Sequence, residues 1–179
     1  MTCGEVDILS HTRPDIAFPV SVLSQFMHSP GQKHFEAAYR IVRHLKGTPG
    51  KGLLFEKSSN LQVDIYTDAD WAGCINDRRS TLGICTFLDE NLVTWRSKKQ
   101  SVVARSSAEA EFRALANGVC EGLWLKRLLK DLKIGLSLPI RVFCDNKAAV
   151  SVAHNPVLYD RTSMWRWIDI LSRRRLTTK

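Results

Sequence analysis

At Leu61 the apolar residues of this chain change their period, and few architectures accommodate the order of elements that follows. Upstream, Phe35, Ala38, Ile41, Val42 and Leu45 recur at helical spacing and stop at Gly47-Thr48-Pro49-Gly50. Downstream, Val63-Asp64-Ile65-Tyr66-Thr67 alternates as a half-buried strand does. Thr81–Leu88 and Leu92–Trp95, separated by Asp89-Glu90-Asn91, extend this to three consecutive antiparallel strands. A long helix is predicted from about Ser107 to Lys133, with Gly118 and Gly122 inside it. Ile140–Cys144 reads as a fourth strand and Asn146–Ala153 as a short helix. The order β-β-β-α-β-α predicts an α/β fold with a mixed sheet, its parallel strands joined by a right-handed crossover.

Two helical segments precede Ser58-Ser59-Asn60, separated by Ser29-Pro30-Gly31. Thr12, with Asp15 three residues on and Pro14 between them, predicts a helix start. Ile16, Val20, Leu23 and Met27 form the stripe of that helix, and Pro19 distorts its first turns. The second helix carries Lys33, Arg40, Arg43, His44 and Lys46 on its other face, which reads either as a solvated basic face or as a nucleic-acid contact.

Three acidic clusters punctuate the strand-containing part. They are Asp68-Ala69-Asp70, Glu109-Ala110-Glu111 and Asp145-Asn146. The first and third follow apolar strand runs, and the second opens the long helix. Each has a local alternative: a turn aspartate, a helix cap or an Asx cap. Ser106 with Glu109 matches a capping box, so Glu109 serves its own helix. Leu115, Val119, Leu129 and Leu132 mark that helix's core face; Glu111 falls roughly 50° from its centre and Glu109 more than about 100° away. Glu111 is therefore expected at the buried edge and Glu109 in solvent. Carboxylates converging from two strand ends and a helix suit a hard divalent cation.

Charge supports a polyanionic partner: 26 Lys and Arg against 18 Asp and Glu give a net +8. The five cysteines are odd in number and show no C-x-x-C pair or zinc-site spacing, which points to a reducing compartment. No targeting signal or membrane-length apolar run is evident, so a soluble intracellular protein, cytoplasmic or nuclear, is expected.

Several stretches carry a family resemblance: His11-Thr12-Arg13-Pro14-Asp15-Ile16-Ala17-Phe18, His44-Leu45-Lys46-Gly47-Thr48-Pro49, Tyr66-Thr67-Asp68-Ala69-Asp70-Trp71-Ala72-Gly73, Asp77-Arg78-Arg79-Ser80-Thr81, Trp95-Arg96-Ser97-Lys98-Lys99-Gln100, Ser106-Ser107-Ala108-Glu109-Ala110-Glu111-Phe112 and Cys144-Asp145-Asn146. On them the chain resembles the C-terminal part of the Pol polyprotein of copia-type long-terminal-repeat retrotransposons. The resemblance implies the tail of a reverse transcriptase over residues 1–58 and a ribonuclease H-like domain over residues 61–162. It implies that Asp68, Glu111 and Asp145 are the catalytic, metal-binding carboxylates, with Mg²⁺ (or Mn²⁺) as cofactor. The partner so implied is an RNA–DNA hybrid whose RNA strand is hydrolysed, with Arg78, Arg79, Lys98, Lys99 and Asn146 as nucleic-acid contacts. A retroviral-type integrase carries its acids in the order Asp, Asp, Glu; here the Glu lies between two Asp residues.

Past His154 the resemblance stops. Family members continue into a return strand and a helix bearing a fourth Asp, whereas Ser163-Met164-Trp165-Arg166-Trp167 no longer follows the pattern, and Asp169 lies too early to substitute. The expectation is a truncated domain with the C-terminal strand and helix missing and activity impaired, followed by a divergent basic tail at 163–179 that holds Arg173-Arg174-Arg175. The alternative is a catalytically inactive remnant that binds nucleic acid non-specifically.

Overall fold

A computed structural model describes residues 10–57, 61–135 and 137–154, the side chains of 137 and 138 apart. Cys3, the proposed domain end at 155–162, Asp169 and the 163–179 tail lie outside the described residues. The chain forms two compact units that divide between Phe55 and Glu56.

In the first unit a 3-10 turn, Pro14–Ile16, leads into helix α1, Ala17–Ser24, and helix α2 spans Gln32–Gly47. The helical turn starts at Pro14, as the sequence predicts, with Arg13 as its N-cap and no cap from the Arg13 side chain. Pro19 lacks the N–H that a continuous helix would aim at the Asp15 carbonyl, so the first turn tightens to 3-10 instead. Asp15 binds Arg13, at 2.7 and 2.9 Å, and His44 at 2.7 Å. Arg13 also donates to Thr48 Oγ1 at 2.8 Å, which ties both helices together. Ile16, Val20 and Ile41 form the core of this unit. Phe35, expected in the buried stripe, is 51% exposed.

The second unit begins with three antiparallel strands: β1, Gln62–Asp70; β2, Thr81–Leu88; and β3, Asn91–Lys99. Helix α3, Ser107–Asp131, then crosses to β4, Ser137–Phe143, which pairs parallel to β1. Helix α4, Lys147–His154, packs on α3. The sheet order is β3-β2-β1-β4. This is the mixed sheet that the sequence predicts.

Several boundaries differ from the sequence reading: β3 runs on past Trp95 to Lys99, and β4 starts at Ser137 rather than Ile140. Strand β1 continues through Asp68 to Asp70, because β2 keeps pairing with it as far as Asp70 opposite Thr81. Leu132, counted among the core residues, is 59% exposed, since α3 ends at Asp131 and the stripe no longer faces the sheet.

Helix α3 lies close on the sheet because two of its residues have no side chain. A Cβ at position 118 would stand 2.5 Å from Thr67 Cγ2, and one at 122 would stand 2.7 Å from Ile65 Cδ1. Val63, Ile65, Leu82, Ile84, Ile140 and Val142 from the strands meet Phe112, Leu115, Val119 and Leu125 from the helix in one core. That close approach brings the first turns of α3 against the end of β1.

Candidate metal centre

Beyond the last β1–β4 pair, Tyr66 with Phe143, strand β1 runs on alone on that side. There the Ala69 N–H donates to Glu111 Oε1 at 3.0 Å, and also to Asp68 Oδ1 at 2.9 Å. Glu111 lies in the second turn of α3 and is 6% exposed. The helix wheel anticipates this burial. Asp68 and Asp145, from β1 and from the residues just after β4, are exposed.

Their carboxylates act on one another. Burial, together with the Asp68 and Asp145 charges, pushes the Glu111 carboxyl up to about 7, against one opposing hydrogen bond from Ala69. Glu111 thus neighbours both Asp68 and Asp145, two acids at the surface and one beneath, while Asp68 is not part of the group whose donor atoms lie within 4.8 Å of one another.

Cys144 completes the group. Its Sγ is directed at Glu111 Oε2, 3.8 Å away, and burial pushes its thiol up to about 11. Donor atoms of Glu111, Cys144 and Asp145 lie within 4.8 Å of one another, a group that could hold a metal ion. At neutral pH the thiol keeps its proton, so the anionic donors are oxygens, the set that Mg²⁺ and Mn²⁺ prefer.

The alternative acids have other roles. Glu109 is half-buried rather than solvent-facing: it binds Arg113 at 2.8 Å and accepts from the Arg105 N–H at 2.9 Å. Burial raises its pKa, but these bonds outweigh it and the net shift is downward. Ser106 caps the helix by accepting from the Glu109 N–H at 3.1 Å. Asp70 packs against Gly73, where any Cβ would overlap its carboxylate.

The five expected nucleic-acid contacts do not form one cluster. Lys99 Nζ binds Asp77 at 2.9 Å and Cys74 Sγ at 3.0 Å, and Arg79 lies 3.7 Å from the same Asp77. The Lys99 bond first, then that of Cys74, holds Asp77 well below the usual carboxylate range. Arg78 sits at φ +56° in the exposed turn, and Lys98 is exposed on β3. Asn146 Oδ1 accepts the Ala149 N–H at 3.0 Å and so caps α4.

No family model matches the chain. It is 44% identical over 158 residues to the retrovirus-related Pol polyprotein from transposon RE1 of Arabidopsis thaliana, which covers 88% of this chain and 11% of that protein. It is 38% identical over 161 residues to the corresponding polyprotein from transposon TNT 1-94 of Nicotiana tabacum, covering 88% and 12%. The chain belongs to the retrovirus-related Pol polyproteins of transposons. It spans about a tenth of the length of these Pol relatives. A ribonuclease H1 isolated from compost by a metagenomic approach superposes with a TM-score of 0.44 at 17% identity, over 66% of this chain and 82% of that one.

Two residues of this Pol segment near the acids and the basic strand end escape a sequence reading. Cys144 counts as an inward apolar residue of a strand, and only its position beside Asp145 hints at more. Arg113 lines a groove of about 290 Å³ with Lys98, Lys99, Gln100 and Asn117. Its signal is the register of α3, where 113 and 117 share a side. Among the described residues no helix is long and apolar enough to cross a membrane.

Proposed function

We propose that this Pol segment carries a ribonuclease H-type domain, from residue 61 to about 162, that hydrolyses the RNA strand of RNA–DNA hybrids with Mg²⁺ or Mn²⁺. Residues 1–58 are then the end of the preceding reverse transcriptase. The observation that carries this reading is the meeting of Asp68, Glu111 and Asp145, with Glu111 raised to about 7 by burial and by the other two.

The three carboxylates fit a hard cation: two are exposed and open to a phosphate, and the third is fixed from below by Ala69. A divalent cation held by Asp68, Glu111 and Asp145 supplies activation of water and stabilisation of the leaving 3′-oxygen. The chain's own part is placement. Glu111 accepts the Ala69 N–H, so its carboxylate cannot swing away from β1. Lys98, exposed in a groove near the strand end, offers positive charge for the phosphates of a duplex.

The test is incubation of folded protein with a labelled RNA–DNA hybrid and Mg²⁺ or Mn²⁺. Cleavage confined to the RNA strand, and lost in Asp68→Asn, is the expected result. A folded protein that binds the hybrid but leaves it intact at every Mg²⁺ and Mn²⁺ concentration overturns the reading in favour of an inactive nucleic-acid-binding remnant.

A further inference from the structure

The donor set at the acidic centre is not purely hard. Cys144 is 3% exposed and belongs to the apolar core with Ala149 and Val142, and its Sγ lies 3.8 Å from Glu111 Oε2. One atom each from Glu111, Cys144 and Asp145 lies within a sphere of mutual distances no greater than 4.8 Å. Four-coordinate ions of the zinc type bind sulfur at about 2.3 Å and carboxylate oxygen at about 2.0–2.2 Å, which puts neighbouring donors about 3.6 Å apart. Closing the widest pair to that spacing takes a movement of about 1 Å. Asp145, exposed and just outside β4, is free of strand pairing and can make that movement.

We propose that this centre also takes thiophilic divalent cations, Cd²⁺ and Zn²⁺, through Cys144 Sγ together with Glu111 and Asp145, and that they exclude the hard cation. The deduction rests on the metal-site reading of Glu111 and Asp145 and adds the thiol. Mg²⁺ uses oxygen donors and leaves the thiol protonated; Cd²⁺ and Zn²⁺ bind sulfur as thiolate. The step is an exchange without redox change: the Cys144 S–H bond breaks, an S–metal bond forms and one proton goes to buffer. Occupancy removes Glu111 and Asp145 from Mg²⁺, so the two kinds of ion compete.

Cd²⁺ is the probe, because sulfur-to-Cd²⁺ charge transfer absorbs in the ultraviolet and reads the bond without turnover. The 179-residue chain is titrated with Cd²⁺ alone, then back-titrated with Mg²⁺, alongside Cys144→Ser. The expected result is a saturable charge-transfer band reversed by excess Mg²⁺. In Cys144→Ser the first, tight step of that band disappears, and the ratio of Cd²⁺ to Mg²⁺ affinity falls at least about tenfold. A band of equal size and affinity in Cys144→Ser would mean that Cys74, Cys85 or another thiol binds the ion, and the proposal fails. It fails equally if Mg²⁺ does not reverse the band. Should Cys144→Ser not fold, Asp145→Asn takes its place: the tight Cd²⁺ step must weaken there too, and an unchanged step overturns the proposal. Hybrid cleavage separates the two readings. Cleavage with Mg²⁺ but no competing Cd²⁺ band sinks only the thiol proposal; a competing band without cleavage leaves it standing and sinks the nuclease.

Discussion

Glu111 Oε1 accepts the backbone N–H of Ala69 at 3.0 Å, a bond that ties the second turn of a helix to the far end of a strand. It satisfies a donor that β4 no longer reaches, and it fixes one carboxyl beside Asp68 and Asp145. Structure and charge repulsion are thus stored in the same residue.

Burial of Glu111, and after it repulsion from Asp68 and Asp145, makes ion-free stability fall with pH. Glu111 is raised from an ordinary 4.5 to about 7, with burial as the first cause. Because the folded carboxyl holds its proton more tightly than the unfolded one, this contribution is fully present below about pH 4.5 and lost as pH climbs through about 7. The difference corresponds to on the order of 3 kcal/mol. Thermal melts in chelator should show a lower Tm at pH 8 than at pH 5.5. Mg²⁺ requires the ionised carboxylate, so its stabilisation should be larger at pH 8. Glu111→Gln keeps an acceptor for Ala69 and removes the ionisation, so its melts should lose most of this pH slope. An unchanged slope in Glu111→Gln would assign the effect to other groups.

The two glycines of α3 should respond unequally to alanine. In an exposed helix Gly→Ala stabilises by about 1 kcal/mol. At 118 the added methyl meets Thr67 Cγ2 at 2.5 Å, on a β-branched side chain whose hydroxyl donates to the Phe143 carbonyl at 3.2 Å. Rotation of Thr67 would break that bond, so Gly118→Ala should destabilise by about 1–3 kcal/mol net. At 122 the nearest atom is Ile65 Cδ1 at 2.7 Å, the flexible end of a longer side chain. Gly122→Ala should cost less. Urea unfolding that ranks them in reverse would contradict the packing described.

What was legible in the sequence, and what was not, follows from which forces leave a local trace. The wheel position of Glu111 could be read from Leu115, Val119 and Leu129 because one helix face must be apolar. The extent of β1 could not, since Asp68 and Asp70 look like a turn until β2 is laid beside them. The same blindness hid the partnership of Glu111 with Ala69, 42 residues away. Cys144 reads as a core residue in both settings, and only the third dimension turns its sulfur toward a carboxylate. Leu132 failed because the periodic stripe outlasts the helix by one residue.

Asn146 illustrates a residue whose two readings separate by experiment. Its Oδ1 accepts the Ala149 N–H at 3.0 Å, the usual work of an N-cap. Asn146→Ala should therefore lower unfolding stability by about 1 kcal/mol. Hybrid affinity, measured well below the melting transition, should change less than about twofold if the cap is its whole role, since a bond to a phosphate or 2′-hydroxyl is worth about 1 kcal/mol or more. A larger loss of affinity with unchanged stability would return Asn146 to the nucleic-acid surface.

Of the expected contacts, Lys98 stands exposed on β3 whereas Lys99 and Arg79 are engaged by Asp77, and salt dependence tells them apart. Lys98 is exposed beside Arg113 and Gln100, whereas Asp77 holds Lys99 at 2.9 Å and Arg79 at 3.7 Å. Each lysine that neutralises a phosphate releases counterion, adding about 0.9 to the slope of log affinity against log salt on a duplex. Lys98→Ala should reduce that slope by about this amount, uniformly across hybrid sequences. Asp77→Asn should do the opposite: it removes one negative charge and loosens two positive ones, so the slope steepens and affinity at low salt rises. If Lys98→Ala leaves the slope unchanged while Asp77→Asn also has no effect, this face of β3 does not meet the duplex. The hybrid would then have to be held from the exposed acids' side, by cations elsewhere in the chain.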